Sequence, residues 1–90
     1  MITVIVSHLV NDLASWTTAF NAHADVREKH NVKVLNVFSS TENPNDVTLV
    51  LEFEDQEAIT AFTGNPEIQG HMAAAGVISK PEFKVYNKVM

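Results

Sequence analysis

Residues 32–54, VKVLNVFSSTENPNDVTLVLEFE, hold two strand-like runs separated by a turn. In VKVLNVFS (32–39) and VTLVLEFE (47–54), β-branched and other apolar residues are spaced as in strands that bury one face. The intervening TENPND (41–46) combines Asn, Pro and Asp, which favour tight turns. We therefore predict an antiparallel hairpin in the middle of the chain.

The segment before the hairpin reads as a strand followed by a helix. Residues 2–10 alternate with the two-residue period of a strand, and Asn11 or Asp12 then offers a helix N-cap. Residues at helical steps follow: Leu13, Trp16, Thr17, Phe20, Ala24 and Arg27. We predict one helix that ends near His30 and Asn31.

The segment after the hairpin reads as an interrupted helix and a last strand. Asp55 is predicted to cap a helix that Gly64 interrupts and Pro66 restarts. Gly76 fits the left-handed position after a helix, and EFKVYNKV (82–89) alternates as a strand. The order βαββαβ predicts one ferredoxin-like α+β domain over residues 1–90, a four-stranded antiparallel sheet with helices on one face.

The second face of the predicted sheet also carries apolar residues. We assign the helix-facing side to Val4, Val6, Val34, Leu49, Leu51, Phe53 and Val85, and the other side to Ile5, Leu35, Val37, Val50 and Tyr86. A solvated antiparallel face would be mostly polar. We therefore expect a homodimer in which a two-fold axis covers this face with its own copy.

Composition excludes several functions. The formal net charge is −5 with no Lys/Arg cluster, so we expect neither nucleic acid nor a membrane surface as partner. The absence of cysteine excludes disulfides and a thiol nucleophile. No segment has the apolar length of a membrane span, and the first residues lack the features of a signal peptide, so we expect a cytoplasmic protein.

Two segments carry a family resemblance. FTGNPEIQGHM (62–72) is similar to a helix break in which an aromatic residue precedes a Ser/Asn-Pro-Glu step, and HLVNDLASWTTAFNAHADVREKHN (8–31) resembles small members of the same group. The whole chain thus resembles the dimeric α+β barrel superfamily, which includes antibiotic-biosynthesis monooxygenases, haem-degrading monooxygenases and chlorite dismutase-like domains. The resemblance implies a homodimeric barrel with a ligand cleft between sheet and helices in each subunit.

The resemblance does not extend to a haem site. Haem-degrading members use an asparagine, a tryptophan and a histidine, but Phe62 stands at the tryptophan position and His71 lies one residue early. A shift of one residue rotates a helical side chain by about 100°. We expect no cofactor.

Three residues of the first helix point to a pocket. Trp16, His23 and Arg27 are spaced by seven and four residues, which places them along one helix edge. Arg27 could pair with an acidic or phenolic ligand while His23 exchanges a proton. In the structural alternative, Trp16 is core, His23 is partly exposed and Arg27 favours the helix C-terminus.

Further candidates complete the predicted site. We predict His8, His23 and Arg27 as catalytic residues and Trp16, Phe20 and Phe62 as substrate-binding residues. His8 lies on the apolar face of the first strand, where it acts as a base or only as a hydrogen-bonded structural group. Glu52 is assigned to a polar cluster at the dimer interface with Thr48, Ser7 or Lys84. The four histidines lack metal-ligand spacing, so we predict no metal site.

Two functions remain open from the sequence. The first is a cofactor-free monooxygenase or cyclase-like enzyme acting on a small aromatic or polyketide-like compound. The second is a non-catalytic dimer that binds a small metabolite or has no ligand. A cavity of a few hundred cubic ångströms beside Trp16 and His23 would favour the first, because small-molecule sites are concave.

Overall fold

The computed structural model describes residues 1–90 and confirms the ferredoxin-like α+β fold. Four strands form one antiparallel sheet in the order β2-β3-β1-β4. The elements, in chain order, are β1 (Ile2–Leu9), α1 (Leu13–Ala22), α2 (Ala24–Lys29), β2 (Lys33–Ser39), β3 (Asp46–Phe53), α3 (Gln56–Thr63), α4 (Pro66–Ala74) and β4 (Glu82–Asn87). None of these helices has the length and apolar character that crossing a membrane requires.

The central hairpin is confirmed, but it contains a bulge. Val34 pairs with Leu51 and Val37 with Leu49, so that two residues, Leu35 and Asn36, stand opposite Val50. An extra residue shifts the alternation of side chains by one position. The assignment of Val37 to the face away from the helices was therefore wrong, because Val37 shares the face of its partner Leu49, which is buried.

The first helical region is broken, where we expected one continuous helix. α1 ends at Ala22, and His23 has non-helical backbone angles before α2 begins at Ala24. At the break the backbone carbonyl of Phe20 accepts two hydrogen bonds. One comes from the backbone amide of His23, three residues on, and the other from the guanidinium of Arg27. A side chain four residues beyond the break thus compensates the lost helical hydrogen bond.

The predicted helix starts are confirmed in their hydrogen bonds. The carboxylate of Asp12 accepts the amide of Ser15 at 2.9 Å, and that of Asp55 accepts the amide of Ala58 at 2.8 Å. Asn65 caps α4 directly before Pro66. These caps satisfy amides that the first helical turn leaves unpaired and so fix where the helices begin.

Gly76 follows the C-cap of α4 with φ of +93°, as predicted for a left-handed position. Its carbonyl accepts the amide of Asn11, and a Cβ at this position would overlap the side chain of Asn11. The end of α4 is thereby held against the segment that leads into α1. Only glycine satisfies both the backbone angle and the space.

The core lies between the sheet and the helices. Alternate residues of β1 and β3 are buried on this side, and helix residues Trp16 and Ile59 pack on them. The buried apolar residues of this cluster are Val4, Val6, Val10, Trp16, Val32, Val47, Leu49, Leu51, Phe53 and Ile59. The helices do not cover the edge strands: Phe83 and Val85 of β4 lie on the helix side in register with Val6 and Val4 but stay 45% and 47% exposed.

The other face of the sheet mixes apolar and polar groups. Ile5 and Val50 are paired and half-buried, while Phe38 and Tyr86 are exposed. The hydroxyls of Ser7 and Thr48 lie 3.0 Å apart in a hydrogen bond.

Glu52 lies on that face but not with the partners expected for it. In register it faces Thr3 on β1 and Lys33 on β2. Ser7 and Thr48 lie four positions further along β1 and β3, where they hydrogen-bond to each other, and the placement of Glu52 in a dimer interface stays a prediction. Glu52 is nevertheless buried, whereas Glu54 is exposed beyond the end of β3.

Candidate functional site

A cavity of about 130 Å³ lies between the helix-facing side of the sheet and the helices. Its floor is apolar and includes Val6, Leu49 and Leu51, which the alternation of β1 and β3 directs to this side. The helices supply the walls. Its polar lining is confined to five residues, which are His8, His23, Arg27, Thr63 and His71.

All the titratable side chains that line the cavity are basic residues. Arg27 and three of the four histidines line it, and no aspartate or glutamate does. The chain as a whole carries a formal net charge of −5, so the cavity is basic although the protein is acidic. Because no carboxylate lines it, the cavity favours an anionic ligand.

Aromatic rings form one wall of the cavity. The rings of Trp16 and Phe20 are stacked at 4.8 Å between centroids with planes 20° apart, and Trp16 meets His8 edge-on at 5.7 Å. The four-residue spacing on α1 brings the first two rings together. Because Trp16 covers one face of the Phe20 ring and Arg27 covers the other, a ligand would meet this wall at the ring edges.

Arg27 lies at the Phe20 end of this wall. Its guanidinium carbon is 3.6 Å from the centroid of the Phe20 ring, and its Nη1 donates to the Phe20 carbonyl at 2.8 Å. These contacts fix the plane of the guanidinium. No carboxylate lies within salt-bridge distance of it, so most of its five N–H donors are free for a ligand.

The charge on Arg27 is partly removed from water. Burial lowers the pKa of Arg27 below its ordinary value, and the carboxylate of Asp25 opposes this shift only in part. An arginine stays protonated in proteins despite such a shift. A half-buried, unpaired cation therefore gains from an incoming anion that replaces its lost hydration.

His8 is the most buried polar group of the site. It is 4% exposed, and its Nδ1 is buried without a hydrogen-bond partner. Burial lowers the pKa of His8 below the ordinary value of 6.5, against weaker opposing effects of its own backbone and Asp46. His8 is therefore a neutral imidazole at neutral pH and can accept a proton.

Two further histidines meet beside the cavity. His23, in the break between α1 and α2, lies 4.0 Å from His71 of α4 between ring centroids. The Nε2 of His71 is 3.9 Å from a carboxylate oxygen of Glu67, one turn earlier on α4. Nδ1 of His71, like that of His8, is buried without a partner.

Phe62 completes the aromatic lining from the other helix pair. Its ring meets Phe53 of the core edge-on at 5.6 Å and His30 at 5.8 Å. Its position just before the helix break places it between the core and α2. Phe62 thus lines the cavity from α3, whereas Trp16 and Phe20 line it from α1.

All six residues predicted for the site line this one cavity: His8, Trp16, Phe20, His23, Arg27 and Phe62. Their catalytic and binding roles stay predictions. At about 130 Å³ the cavity is smaller than the few hundred cubic ångströms that would have favoured an enzyme over a binding protein. Thr63, His71 and Met72 also line the cavity, which was not predicted, and the only sequence signal for them is their place beside the Asn65-Pro66 break.

The fold is shared with several solved structures at low sequence identity. A proposed antibiotic biosynthesis monooxygenase from Bordetella bronchiseptica matches with a TM-score of 0.77 at 20% identity, covering 99% of this chain and 97% of that one. One from Nitrosomonas europaea matches with a TM-score of 0.74 at 12% identity over 100% of both chains. An asparagine-to-alanine variant of SnoaB, a cofactor-independent oxygenase from Streptomyces nogalater, matches with a TM-score of 0.71 at 15% identity over 99% and 93%.

Fold and cavity together define a ferredoxin-like α+β protein with an apolar pocket between its sheet and its helices. The sequence profile of the antibiotic biosynthesis monooxygenase family matches residues 13–74, more than half of the chain. The chain therefore belongs to that family. No curated protein sequence matches it.

Proposed function

We propose that this chain is a cofactor-free monooxygenase that acts on a small aromatic or polyketide-like compound with an acidic oxygen. The observation that carries the proposal is the unpaired guanidinium of Arg27 beside stacked aromatic rings, in a cavity without a carboxylate. Family membership and the likeness to a cofactor-independent oxygenase support it.

The proposed chemistry uses electrons that the substrate itself supplies. A base removes a proton from a phenol or from an enolisable ring methylene, and the resulting anion reduces O₂ and is oxygenated. For a methylene the balance is R₂CH₂ + O₂ → R₂C=O + H₂O, in which the ring carbon is oxidised and one oxygen atom leaves as water. No external reductant enters this balance.

Each residue that lines the cavity is given a role according to its position and charge. Arg27 is proposed to hold the substrate oxyanion, because a fixed cation in an apolar cavity stabilises negative charge more than water does. His8 is proposed as the base, because burial keeps it neutral and able to accept a proton. His23 is the alternative base. Trp16, Phe20 and Phe62 are proposed to pack against the substrate ring.

We propose that the active form is a homodimer. The sheet face opposite the helices carries half-buried Ile5 and Val50 together with exposed Phe38 and Tyr86. A second copy related by a two-fold axis would remove these apolar groups from water, because the same face of each subunit covers the other.

Oxygen uptake tests the proposed function directly. Purified protein, dialysed against a chelator, is mixed with a panel of hydroquinones, phenols and aromatic ketones in an oxygen electrode, and product is analysed after reaction under ¹⁸O₂. We expect uptake above the spontaneous rate and one ¹⁸O atom in the product. Ligand binding without oxygen uptake across the panel would instead favour the non-catalytic binding protein.

A matched pair of variants assigns the uptake to the cavity. Arg27→Ala removes the proposed oxyanion contact, and Lys29→Ala removes a positive charge from the exposed side of the same helix, α2. We expect at least about a tenfold loss of kcat/KM for the first and little change for the second, since one well-placed charged hydrogen bond contributes about 1.5–3 kcal/mol. Equal effects of the two substitutions would contradict the role of Arg27.

A further inference from the structure

The size of the cavity limits the ligand more narrowly than the proposed function does. Its volume is about 130 Å³. A comparable engineered apolar cavity of about 150 Å³ in another protein stays dry and binds benzene. One six-membered ring therefore fills this space, whereas part of a fused three-ring compound would lie outside it, on the open side near Phe83.

The walls that set this limit belong to the core. Trp16, Leu49 and Leu51 all line the cavity and are 4%, 8% and 5% exposed. Close-packed core side chains have little room to move aside. Enlargement is easier on the side of α4, where Met72 lines the cavity and is only half-buried.

The polar groups of the cavity indicate which substituent the ligand ring should have. Arg27 is the one permanently charged lining residue and has no carboxylate partner, so a ligand anion there removes an uncompensated charge. The remaining lining near it is aromatic or apolar. One acidic oxygen group on an otherwise apolar ring matches this arrangement.

We propose that the cavity selects single-ring aromatic acids, meaning one benzene-sized ring with a carboxylate or phenolic oxygen. The ring lies on the apolar floor formed by Val6, Leu49 and Leu51, and the acidic oxygen accepts hydrogen bonds from the guanidinium of Arg27. This inference rests on the proposed function for the identity of the site, and it narrows the substrate class from polyketide-like compounds to monocyclic ones.

Calorimetric titration with a size series tests the inference. The probes are benzoate, 2-naphthoate and anthracene-2-carboxylate, which add one ring at a time to the same charged group, and benzyl alcohol, which keeps one ring without the charge. We expect benzoate to bind at least about tenfold more tightly than 2-naphthoate or benzyl alcohol. Binding of anthracene-2-carboxylate is expected to be weaker than that of benzoate, because two of its three rings would lie outside the cavity.

A cavity-enlarging variant provides the converse test. Met72→Ala is expected to strengthen 2-naphthoate binding about tenfold or more and to weaken that of benzoate, because the added space fits the larger ring. Ile78→Ala is the control, since it truncates an apolar side chain that is 65% exposed and does not line the cavity. It should leave the whole series unchanged.

The outcomes separate this inference from the proposed function. Equal affinity for one and three rings, or no binding of benzoate at millimolar concentration, would overturn the single-ring assignment. Benzoate does not react with O₂, so the titration measures binding alone. Selective binding of single-ring acids with no oxygen uptake from reactive phenols would leave this inference standing and remove the monooxygenase.

Discussion

The imidazole rings of His23 and His71 lie 4.0 Å apart between centroids, with their planes tilted by 40°. His23 occupies the break between α1 and α2, and His71 lies on α4, so the contact joins the two helix pairs beside the cavity. A second aromatic pair, His30 with Phe62, joins α3 to the C-cap of α2.

A double-mutant cycle should detect the coupling of these histidines. His23→Ala and His71→Ala, combined and compared by urea denaturation at pH 8, should show a coupling free energy of about 0.5–1.5 kcal/mol, as aromatic pairs do. His30→Ala combined with His71→Ala is the control, because His30 packs on Phe62 instead. Additivity of the first pair would show that the ring contact contributes nothing to stability.

The stability of the fold should depend on pH through His8. Its pKa is lowered in the folded protein from the ordinary value of 6.5, so the unfolded chain takes up a proton first as the pH falls. The contribution of His8 is therefore fully present above pH 6.5 and is lost as the pH falls from there through the lowered pKa. The free energy of unfolding should decrease over this range.

His8→Asn isolates that contribution, since the other three histidines remain in both proteins. The difference in unfolding free energy between wild type and variant, measured by urea denaturation from pH 8 to pH 5, should shrink as the pH falls. Each unit of pKa shift is worth about 1.4 kcal/mol. Parallel pH curves for the two proteins would mean that His8 titrates alike in the folded and unfolded states.

Two glycine substitutions should have opposite effects on thermal stability. Gly76→Ala should cost about 1–3 kcal/mol, because φ is +93° and the new Cβ would meet Asn11. Gly70→Ala should add about 0.5–1 kcal/mol, since Gly70 lies within α4 and nothing is within 4 Å of its new Cβ. At about 4–8 °C per kcal/mol for a domain of this size, calorimetry resolves both shifts. A wild-type melting temperature for Gly76→Ala would contradict this account of the turn.

Substitutions on the two faces of the sheet should separate dimerisation from folding. Val50→Lys places a charge in the proposed interface and should shift the protein toward monomer at micromolar concentration. Val37→Asp changes a residue that the bulge turns toward the helix side at the sheet edge, and it should leave the dimer intact. Size-exclusion with light scattering measures both. A monomeric wild type would disprove the proposed interface.

Much of the fold follows from local sequence. The caps Asp55 and Asn65, the glycine after α4 and the turn residues of the hairpin act over a few positions, so their signals are visible in the chain. The break at His23 was not predictable, since no glycine or proline marks it and the compensating bond comes from the Arg27 side chain. The bulge at Leu35 was equally hidden, because it depends on the register with β3 and not on β2 alone.

The candidate site was predictable in part for the same reason. Trp16, His23 and Arg27 follow helical spacing, and they line one cavity although the helix is broken between them. The contact of His23 with His71 joins distant parts of the chain, so no local sequence pattern predicts it. The small volume of the cavity depends on how the core packs, which residue spacing does not determine.

The proposed function requires that the cavity receives an aromatic anion at Arg27, and an NMR titration can test this claim. With ¹⁵N-labelled protein and methyl-labelled methionine, benzoate should shift the Arg27 Nε–H, the Trp16 indole N–H and the Met72 methyl group together with one dissociation constant. In Arg27→Ala the Trp16 and Met72 shifts should require at least about tenfold more benzoate, and in Lys29→Ala they should match wild type. Shifts confined to the opposite sheet face around Val50, or no saturable shift at Trp16 and Arg27, would contradict the claim.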